Sequence, residues 1–341
     1  MLAARVYGKE DIRVEEVPKP SIKSSKDVLI KVKAVGICGS DNHIYHGENP
    51  FATLPRVMGH EFVGEVVETG EAVVSVAVGD HAVIEPINYP EGGKDYAVRQ
   101  GMPNVSAQLK VLGVHVDGGM QEYISVPERQ VYKIDKNIPW TTAVLAEPYT
   151  IAGNSTTRGQ VGLGKTLVVQ GAGTIGQLIL RVAKAKGATV LISDVIDSKL
   201  EFAKQNGADR IVNASKEDLV DAVRDWTNGE MANVVIDAVG APKTFETCFD
   251  LVSVAGAIVP LGMSPEPAHI AQKPIMQKQL TIYGSRLQAY QFAPVIKAIE
   301  NGQIGNDGVV TQEFNIKDVQ KAFDLMNQHP EKARKIILTF D

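Results

Sequence analysis

The chain has few cysteines, few aromatic residues and no excess of positive charge. Its two cysteines, Cys38 and Cys248, exclude a disulfide scaffold and predict a reducing, cytoplasmic location. Thirty-five basic residues against 40 acidic ones give a net charge of −5, which disfavours binding to nucleic acid. No apolar run approaches the roughly 18 residues of a membrane-spanning helix, and the first residues lack the apolar stretch of a signal peptide. We therefore expect neither a membrane partner nor secretion.

What is present is an ordinary globular composition with two successive patterns. With 341 residues, and roughly 150 residues per domain, we expect about two domains. In the first pattern, segments such as 27–35 alternate apolar and polar residues as half-buried strands do. In the second, short apolar runs such as 166–170 and 189–193 alternate with helical segments, which predicts an α/β domain with a doubly wound parallel sheet. The residues after Ser285 predict helices and a closing strand that return to the N-terminal domain.

A glycine fingerprint, G-x-G-x-x-G, follows the apolar run at 166–170 and precedes a helical segment. Its residues are Gly171, Gly173, Thr174, Ile175 and Gly176. In this context the glycines allow a tight turn and a close approach of backbone to a pyrophosphate, which faces the helix N-terminus. Asp194 follows Gly176 by 18 residues; its carboxylate suits a ribose 2′-hydroxyl and would repel a 2′-phosphate, which favours NAD over NADP. The alternative is an ordinary glycine-rich turn between a strand and a helix.

Four possible metal ligands are spread over the first half of the chain: Cys38, His60, Glu61 and Glu147. A thiolate, an imidazole and a carboxylate with one open position are typical of a catalytic zinc site. Structural zinc sites use more sulfur than two cysteines can supply. The spacing alone leaves the alternatives open, because Cys38 is equally explained as a small buried residue and His60 as a structural histidine.

Six segments together carry a family resemblance: KAVGICGSDNHIYHG, LPRVMGHEFVGEVVETG, VGDHAVIEP, DGGMQEYISVP, AEPYTIA and VVQGAGTIGQL. In this order they resemble the zinc-dependent medium-chain dehydrogenase/reductase superfamily, and most closely its RspB-like sugar-acid dehydrogenase group. The resemblance implies a GroES-like β-rich catalytic domain made of residues 1–151 and 287–341. It also implies a Rossmann NAD-binding domain over residues 152–286, and a homodimer or homotetramer.

For the metal, the resemblance places Cys38, His60 and Glu147 on the zinc ligands. Glu61 falls on the acid beside the histidine, which in this branch binds zinc directly or through water. For proton transfer, Ser40 falls on the hydroxyl that contacts the substrate oxygen, and His43 on the outer histidine of the proton relay.

The chain departs from the superfamily in the stretch 86–106. Many members carry four cysteines there that hold a structural zinc. Pro90, Gly93, Tyr96 and Ser106 lie about where those cysteines would be. We therefore expect one catalytic zinc per subunit and no structural zinc, with the lobe held by packing and hydrogen bonds.

The resemblance implies hydride transfer between NAD and a secondary alcohol of a small molecule, a polyol or a hexonate such as L-gulonate or L-galactonate oxidised at C5. A hexonate requires a cation for its carboxylate, and Arg286 is our candidate. His115 and Asp117 are candidates for the same pocket, although a turn explains them equally well; Tyr45 and Asn88 are weaker candidates.

Three alternatives remain. One is a dehydrogenase for another secondary alcohol, such as sorbitol or a threonine-like amino alcohol. The second, a metal-free quinone or enoyl reductase, is disfavoured because such enzymes lack the cysteine, histidine and glutamate set. The third, a non-enzymatic dinucleotide sensor, is disfavoured because that set is intact.

Overall fold

A computed structural model describes residues 1–89 and 95–340. The strands are β1 Leu2–Gly8, β2 Asp11–Glu16, β3 Asp27–Ile37, β4 Arg56–Val57, β5 Glu61–Thr69, β6 His81–Ile84, β7 Ile87–Asn88, β8 Lys110–Val111, β9 Tyr123–Pro127, β10 Val131–Ile134, β11 Thr166–Gln170, β12 Thr189–Asp194, β13 Arg210–Asn213, β14 Ala232–Asp237, β15 Val252–Pro260, β16 Thr281–Ile282, β17 Val310–Asn315 and β18 Lys335–Thr339. The α-helices are α1 Gly39–Tyr45, α2 Tyr96–Arg99, α3 Trp140–Ala143, α4 Ala146–Arg158, α5 Thr174–Ala185, α6 Asp197–Gln205, α7 Leu219–Trp226, α8 Pro242–Leu251, α9 Gln272–Lys278, α10 Phe292–Glu300 and α11 Val319–Gln328.

The first structural unit is rich in β-structure and contains residues 1–147 and 292–341. Its main sheet has seven strands: β10, β6, β5, β3, β18 and β17 pair in that order, and β9 also pairs with β3. The long strand β3 is buried along most of its length because Val, Leu and Ile recur at its core positions. The C-terminal strand β18 pairs with β3 through Ile336 opposite Ile37 and Ile337 opposite Gly36. The C-terminal segment therefore completes the sheet that carries Cys38 and Glu61.

The second unit, residues 148–291, is built on a six-stranded sheet. Its strands lie in the order β13, β12, β11, β14, β15, β16, and every pairing is parallel. Helices connect successive strands, and side chains such as Val168, Leu191 and Val235 form its buried core. This is the doubly wound order in which ligands bind at the carboxyl ends of the strands, next to the point where the strand order reverses. The predicted α/β class, with a β-rich part and a parallel-sheet part, is confirmed.

The chain passes from the first unit to the second between residues 147 and 148, within α4, and returns between residues 291 and 292. These points lie a few residues from the expected boundaries at 151/152 and 286/287, which stay a prediction. In the lobe at 86–106, Pro90 and Gly93 lie outside the described residues. Within the described part, Asp95 caps α2 by accepting from the Val98 N–H and accepts a second hydrogen bond from the Ser106 hydroxyl.

No helix within residues 1–89 and 95–340 combines the length and the apolarity needed to cross a membrane.

Candidate functional site

Cys38 lies at the junction of β3 and α1, where the chain leaves the main sheet. It is the residue before the first turn of α1, and Asp41 in that turn accepts a hydrogen bond from the Cys38 N–H at 2.9 Å. Asp41 is fully buried, and its other carboxylate oxygen accepts from the Gly59 N–H at 3.4 Å. One buried carboxylate therefore fixes both the backbone of Cys38 and the backbone just before His60.

His60 and Glu61 are placed at the start of β5, next to β3. His60 Nδ1 is buried and makes no hydrogen bond to any residue within the described ranges. Asp41 Oδ1 lies 3.4 Å from it, close enough to attract its charge. Burial alone would lower the pKa of His60, but the charges of Asp41 and Cys38 outweigh it and hold the pKa well above its ordinary value.

Three of the four predicted metal ligands lie together in one tight group. One ligand atom each from Cys38, His60 and Glu61 lies within 4.8 Å of the others. Glu147, in the first turn of α4, is 3% exposed but does not lie within that distance of all three. Its buried carboxyl nevertheless interacts with the charges of His60 and Glu61.

The electrostatics of this cluster fit a divalent cation. Burial, reinforced by the charge of Glu61, raises the pKa of Glu147 to about 8. Asp41 and Glu61 are also buried, so acidic groups are concentrated away from water, where an uncompensated charge is costly. Zn²⁺ prefers the thiolate, imidazole and carboxylate donors present here, and its charge would keep Glu147 ionised. The chemistry of the donors and the buried acidic charge around them thus fit a catalytic zinc.

The two predicted proton-transfer residues lie on α1. Ser40 Oγ lies 3.4 Å from His60 Nε2, which puts a hydroxyl at the edge of the cluster. His43 is exposed, and its Nδ1 lies 2.8 Å from Glu48 Oε2. The hydrogen bond to His43 lowers the pKa of Glu48. Glu48 was not predicted from the sequence, because a carboxylate five residues after a histidine carries no distinctive signal.

The glycine loop in the second unit has the shape that a pyrophosphate site requires. Gly171 has a positive φ of +95°, which favours glycine. A Cβ on Gly176 would lie 1.9 Å from the carbonyl oxygen of Gly171, so α5 packs against the turn only without a side chain there. A Cβ on Gly173 would meet no described atom within 4 Å, which leaves open space beside the N-terminus of α5.

Asp194, at the carboxyl end of β12, is already engaged with backbone. Its Oδ2 accepts from the Ala172 N–H at 2.7 Å, and its Oδ1 accepts from the N–H groups of Val195 and Ile196 at 2.8 and 3.0 Å. The side chain therefore anchors the glycine loop to β12. A carboxylate has about four acceptor positions, so it retains capacity for a ribose hydroxyl.

Two of the predicted substrate residues, Tyr45 and Asn88, make hydrogen bonds to other side chains. Tyr45 is buried, stacks on Phe323 at 4.7 Å between ring centroids and accepts a hydrogen bond from Gln320 through its hydroxyl. Its place in a substrate pocket stays a prediction. Asn88 accepts a hydrogen bond from the Arg129 guanidinium.

His115 and Asp117 are both tied to neighbouring backbone. His115 Nδ1 accepts from the Val111 N–H at 3.0 Å, which leaves the ring proton on Nε2. Asp117 accepts from the Val57 N–H and from the Arg56 guanidinium, each at 3.1 Å, as a turn residue does. Arg286 is exposed and follows β16 in the second unit.

The sequence reasoning missed one buried side chain at the cluster, Lys335 at the start of β18. Its ammonium lies 2.8 and 2.7 Å from the two carboxylate oxygens of Glu61. The sequence does show a lysine as the first residue of the apolar run KIILTF. A lysine at the end of a strand is ordinarily exposed to solvent, so this position did not indicate a buried charge.

Comparison with known proteins gives the family. A family model described as an alcohol dehydrogenase GroES-like domain matches residues 24–136, and one described as a zinc-binding dehydrogenase matches residues 174–301. The starvation-sensing protein RspB of Escherichia coli (strain K12) is 40% identical over 327 residues, which cover 95% of this chain and 94% of RspB. The chain belongs to the zinc-dependent medium-chain dehydrogenase/reductase superfamily. Within that superfamily it is close to RspB, as its motifs predict.

Other relatives of this dehydrogenase have named substrates or cofactors. A crystal structure of rspB from E. coli CFT073, complexed with NADH, superposes with a TM-score of 0.93 at 37% identity and covers 100% of this chain and 99% of that one. L-threonine 3-dehydrogenase of Pyrococcus abyssi is 38% identical over 94% of this chain and 92% of its own. The structure of L-idonate 5-dehydrogenase from E. coli K-12 has a TM-score of 0.90 at 25% identity, covering 99% and 98%.

This dehydrogenase is therefore an oxidoreductase that acts on a CH–OH group with NAD and uses zinc. The expected cofactors, zinc and NAD, are confirmed by the family, by the NADH complex of a relative and by the cysteine, histidine and glutamate group.

Proposed function

We propose that the protein oxidises a secondary alcohol of a polyol or sugar acid, with a hexonate such as L-gulonate or L-galactonate oxidised at C5 as the substrate class. The observation that carries the proposal is the convergence of Cys38, His60 and Glu61 within 4.8 Å beside the buried Glu147. In this proposal Cys38, His60 and Glu147 hold the zinc, and Glu61 beside His60 binds it directly or through water. The catalytic domain comprises residues 1–151 and 287–341, and the NAD domain residues 152–286.

When bound, zinc supplies a Lewis acid that favours ionisation of the substrate hydroxyl, and NAD supplies the hydride acceptor. The chain itself supplies the path for the proton. In this proposal the Ser40 hydroxyl, 3.4 Å from His60 Nε2, accepts a hydrogen bond from the substrate hydroxyl. His43 is exposed and oriented by Glu48, so it can release the proton to solvent.

For NAD, the proposal assigns the pyrophosphate to the glycine loop and the adenosine ribose to Asp194. The residues concerned are Gly171, Gly173, Thr174, Ile175, Gly176 and Asp194. Three features support this assignment: the open space beside Gly173, the N-terminus of α5 and the carboxylate at the end of the adjacent strand. The charge on Asp194 selects against the 2′-phosphate of NADP.

For the substrate, the proposal assigns the carboxylate to Arg286 and a hydroxyl to the Nε2–H of His115. A relative named L-idonate 5-dehydrogenase supports a hexonate. The relatives named L-threonine 3-dehydrogenase support a second candidate, an amino alcohol with a carboxylate. A guanidinium at the substrate site would serve either substrate, so the two candidates differ in chain length and in the amine.

The deciding experiment is a panel of substrates with NAD at saturating concentration. It would contain L-gulonate, L-galactonate, sorbitol, L-threonine and a simple secondary alcohol. A hydrogen bond to a charged group contributes about 1.5–3 kcal/mol. We therefore expect kcat/KM for the hexonate to exceed that for sorbitol by about ten- to a hundredfold. A chelator should abolish turnover. Highest kcat/KM for L-threonine would replace the hexonate with the second candidate, and turnover that survives complete zinc removal would contradict the metal site.

We also propose a homodimer or homotetramer. Strand β16 ends the strand order of the parallel sheet, and both its residues, Thr281 and Ile282, are exposed. An exposed terminal strand is a template for pairing with a second copy. Light scattering at micromolar concentration should give a dimer or tetramer mass; a monomer mass would contradict the proposal.

A further inference from the structure

Lys335 is a buried lysine whose three donor positions are all used. Its Nζ lies 2.8 Å from Glu61 Oε1, 2.7 Å from Glu61 Oε2 and 3.1 Å from the carbonyl oxygen of Ile37. The side chain of Lys335 is 3% exposed and that of Glu61 1%. Since an ammonium has three protons and no other donor capacity, Lys335 is satisfied by these contacts alone.

The register of three neighbouring strands brings Lys335 and Glu61 together. Glu61 on β5 and Ile337 on β18 both lie opposite Gly36 on the intervening strand β3. Lys335 is two residues before Ile337, so its side chain leaves the same face of the sheet. A Cβ on Gly36 would lie 2.1 Å from Glu61 Oε2. The absence of a side chain on Gly36 therefore lets lysine and glutamate meet across the middle strand.

The same sheet face carries the metal ligand Cys38, two residues after Gly36. The carboxylate of Glu61 can therefore be attracted by two positive charges: the ammonium of Lys335, and a cation held by Cys38 and His60. The charged groups that face Lys335 are Glu61, Cys38 and Glu147. Desolvating an ion pair costs free energy that an apolar pair of similar volume would avoid. Stability alone therefore does not account for an ion pair at this position.

We propose that Lys335 is a positioning residue that holds both carboxylate oxygens of Glu61 and so keeps Glu61 from ligating the metal. The metal is then held by Cys38, His60 and Glu147, and the fourth position stays exchangeable for the substrate oxygen. Without Lys335, Glu61 turns to the metal as an additional ligand and crowds that position. The inference rests on the proposed metal centre and specifies its coordination.

The test uses the full-length enzyme with zinc replaced by Co²⁺, whose visible absorption reports coordination number. Wild-type protein should give the strong bands of a four-coordinate ion. Lys335→Met should give several-fold weaker bands, because the freed Glu61 adds a ligand. Its cobalt should also transfer to a chelator about tenfold more slowly, the scale on which residues behind metal ligands change affinity. Lys335→Arg, which keeps the charge, should resemble wild type, as should the exposed-site control Lys321→Met.

The double variant Glu61→Gln/Lys335→Met separates positioning from a general structural effect. It removes the carboxylate and the ammonium together, so it leaves no unpaired buried charge and should restore the wild-type spectrum. A wild-type spectrum in Lys335→Met, or the same weak bands in the double variant, would overturn the inference. If Lys335→Met does not fold, Glu61→Gln decides: its bands should equal those of wild type, and weakened or shifted bands would show that Glu61 is a ligand. Failure of wild-type protein to bind cobalt at all would instead contradict the proposed metal centre.

Discussion

Asp41 and His60 are both buried, and Oδ1 of the carboxylate lies 3.4 Å from Nδ1 of the imidazole. The other oxygen of Asp41 accepts from the Cys38 N–H. The side chain of Asp41 thus contacts two of the proposed ligands: the backbone of Cys38 and the ring of His60. Metal sites depend on such supporting contacts because they fix the orientation of the ligands before the metal arrives.

Asp41→Asn is therefore expected to weaken zinc binding by about 10- to 100-fold, because the amide supplies no negative charge to His60. Competition with a chromogenic chelator measures the dissociation constant directly. The exposed Asp225→Asn on α7 changes the net charge equally and should leave zinc affinity at the wild-type value. Equal zinc affinity in Asp41→Asn and wild type would show that Asp41 serves only the helix start.

Two glycines of the nucleotide loop should respond differently to alanine. At Gly176 a Cβ would lie 1.9 Å from the carbonyl oxygen of Gly171, so Gly176→Ala forces the turn and α5 apart. Overpacking of this kind costs about 1–3 kcal/mol, which thermal unfolding would register as a lower Tm. At Gly173 the added methyl meets no described atom within 4 Å, so Gly173→Ala should keep the wild-type Tm.

Although Gly173→Ala should leave the Tm unchanged, we expect it to weaken NAD binding. If the pyrophosphate approaches this backbone, the methyl group of Gly173→Ala occupies its space and raises the dissociation constant of NAD, measured by fluorescence titration. Gly162→Ala, also with open space around its Cβ, is the matched control and should bind NAD normally. Unchanged NAD affinity in Gly173→Ala would remove this glycine from the cofactor site.

The spacing of apolar residues predicted the strands and helices of the second unit well, because short buried strands and helices differ in this spacing. The apolar run at 166–170 coincides with β11, and the predicted strand at 189–193 differs from β12 by one residue. The capping-box spacing of Ser198 and Glu201 predicts a helix start there. The helix instead begins at Asp197, with Ile196 before it, and Asp194 accepts from the N–H groups of Val195 and Ile196 just ahead of the helix.

What the sequence could not predict depends on register between distant strands. The contact between Lys335 and Glu61 joins positions separated by 274 residues and requires β18 beside β3 with Gly36 between them. No local pattern contains that register. Tyr45 shows the same limit, because no local pattern predicts that the packing of α11 brings Phe323 against its ring.

Asp194→Asn should change the choice of nucleotide. The amide oxygen can still accept backbone hydrogen bonds, but the negative charge that repels a 2′-phosphate is gone. We expect the ratio of kcat/KM for NADP to that for NAD to rise by about tenfold or more, equivalent to roughly 1.4 kcal/mol. Asp209→Asn, at an ion pair with Lys184 away from the glycine loop, is the control. An unchanged ratio would mean that Asp194 acts only as an anchor for the loop.

His43 and Glu48 provide a test of the proton path. His43→Ala should lower kcat by about 10²-fold if the ring carries the substrate proton, with little change in KM. Glu48→Gln keeps a hydrogen-bond acceptor beside His43 but removes the charge that orients the ring, so kcat should fall by less than in His43→Ala. The matched control is Glu10→Gln, since Glu10 makes the equivalent contact with His46. A kcat of Glu48→Gln equal to that of wild type would separate Glu48 from proton release.

The two cysteines should differ sharply in reactivity. Burial raises the pKa of the Cys248 thiol, so its nucleophilic thiolate remains rare through neutral and mildly alkaline pH. Cys38 is only partly buried, and zinc should shield its sulfur. Iodoacetamide followed by peptide mass spectrometry should therefore modify Cys38 in protein stripped of zinc, leave it largely intact in the zinc-loaded protein, and leave Cys248 unmodified in both. Cys38→Ser should then take up no label under native conditions. Equal labelling of Cys38 with and without zinc would place its sulfur outside the metal centre.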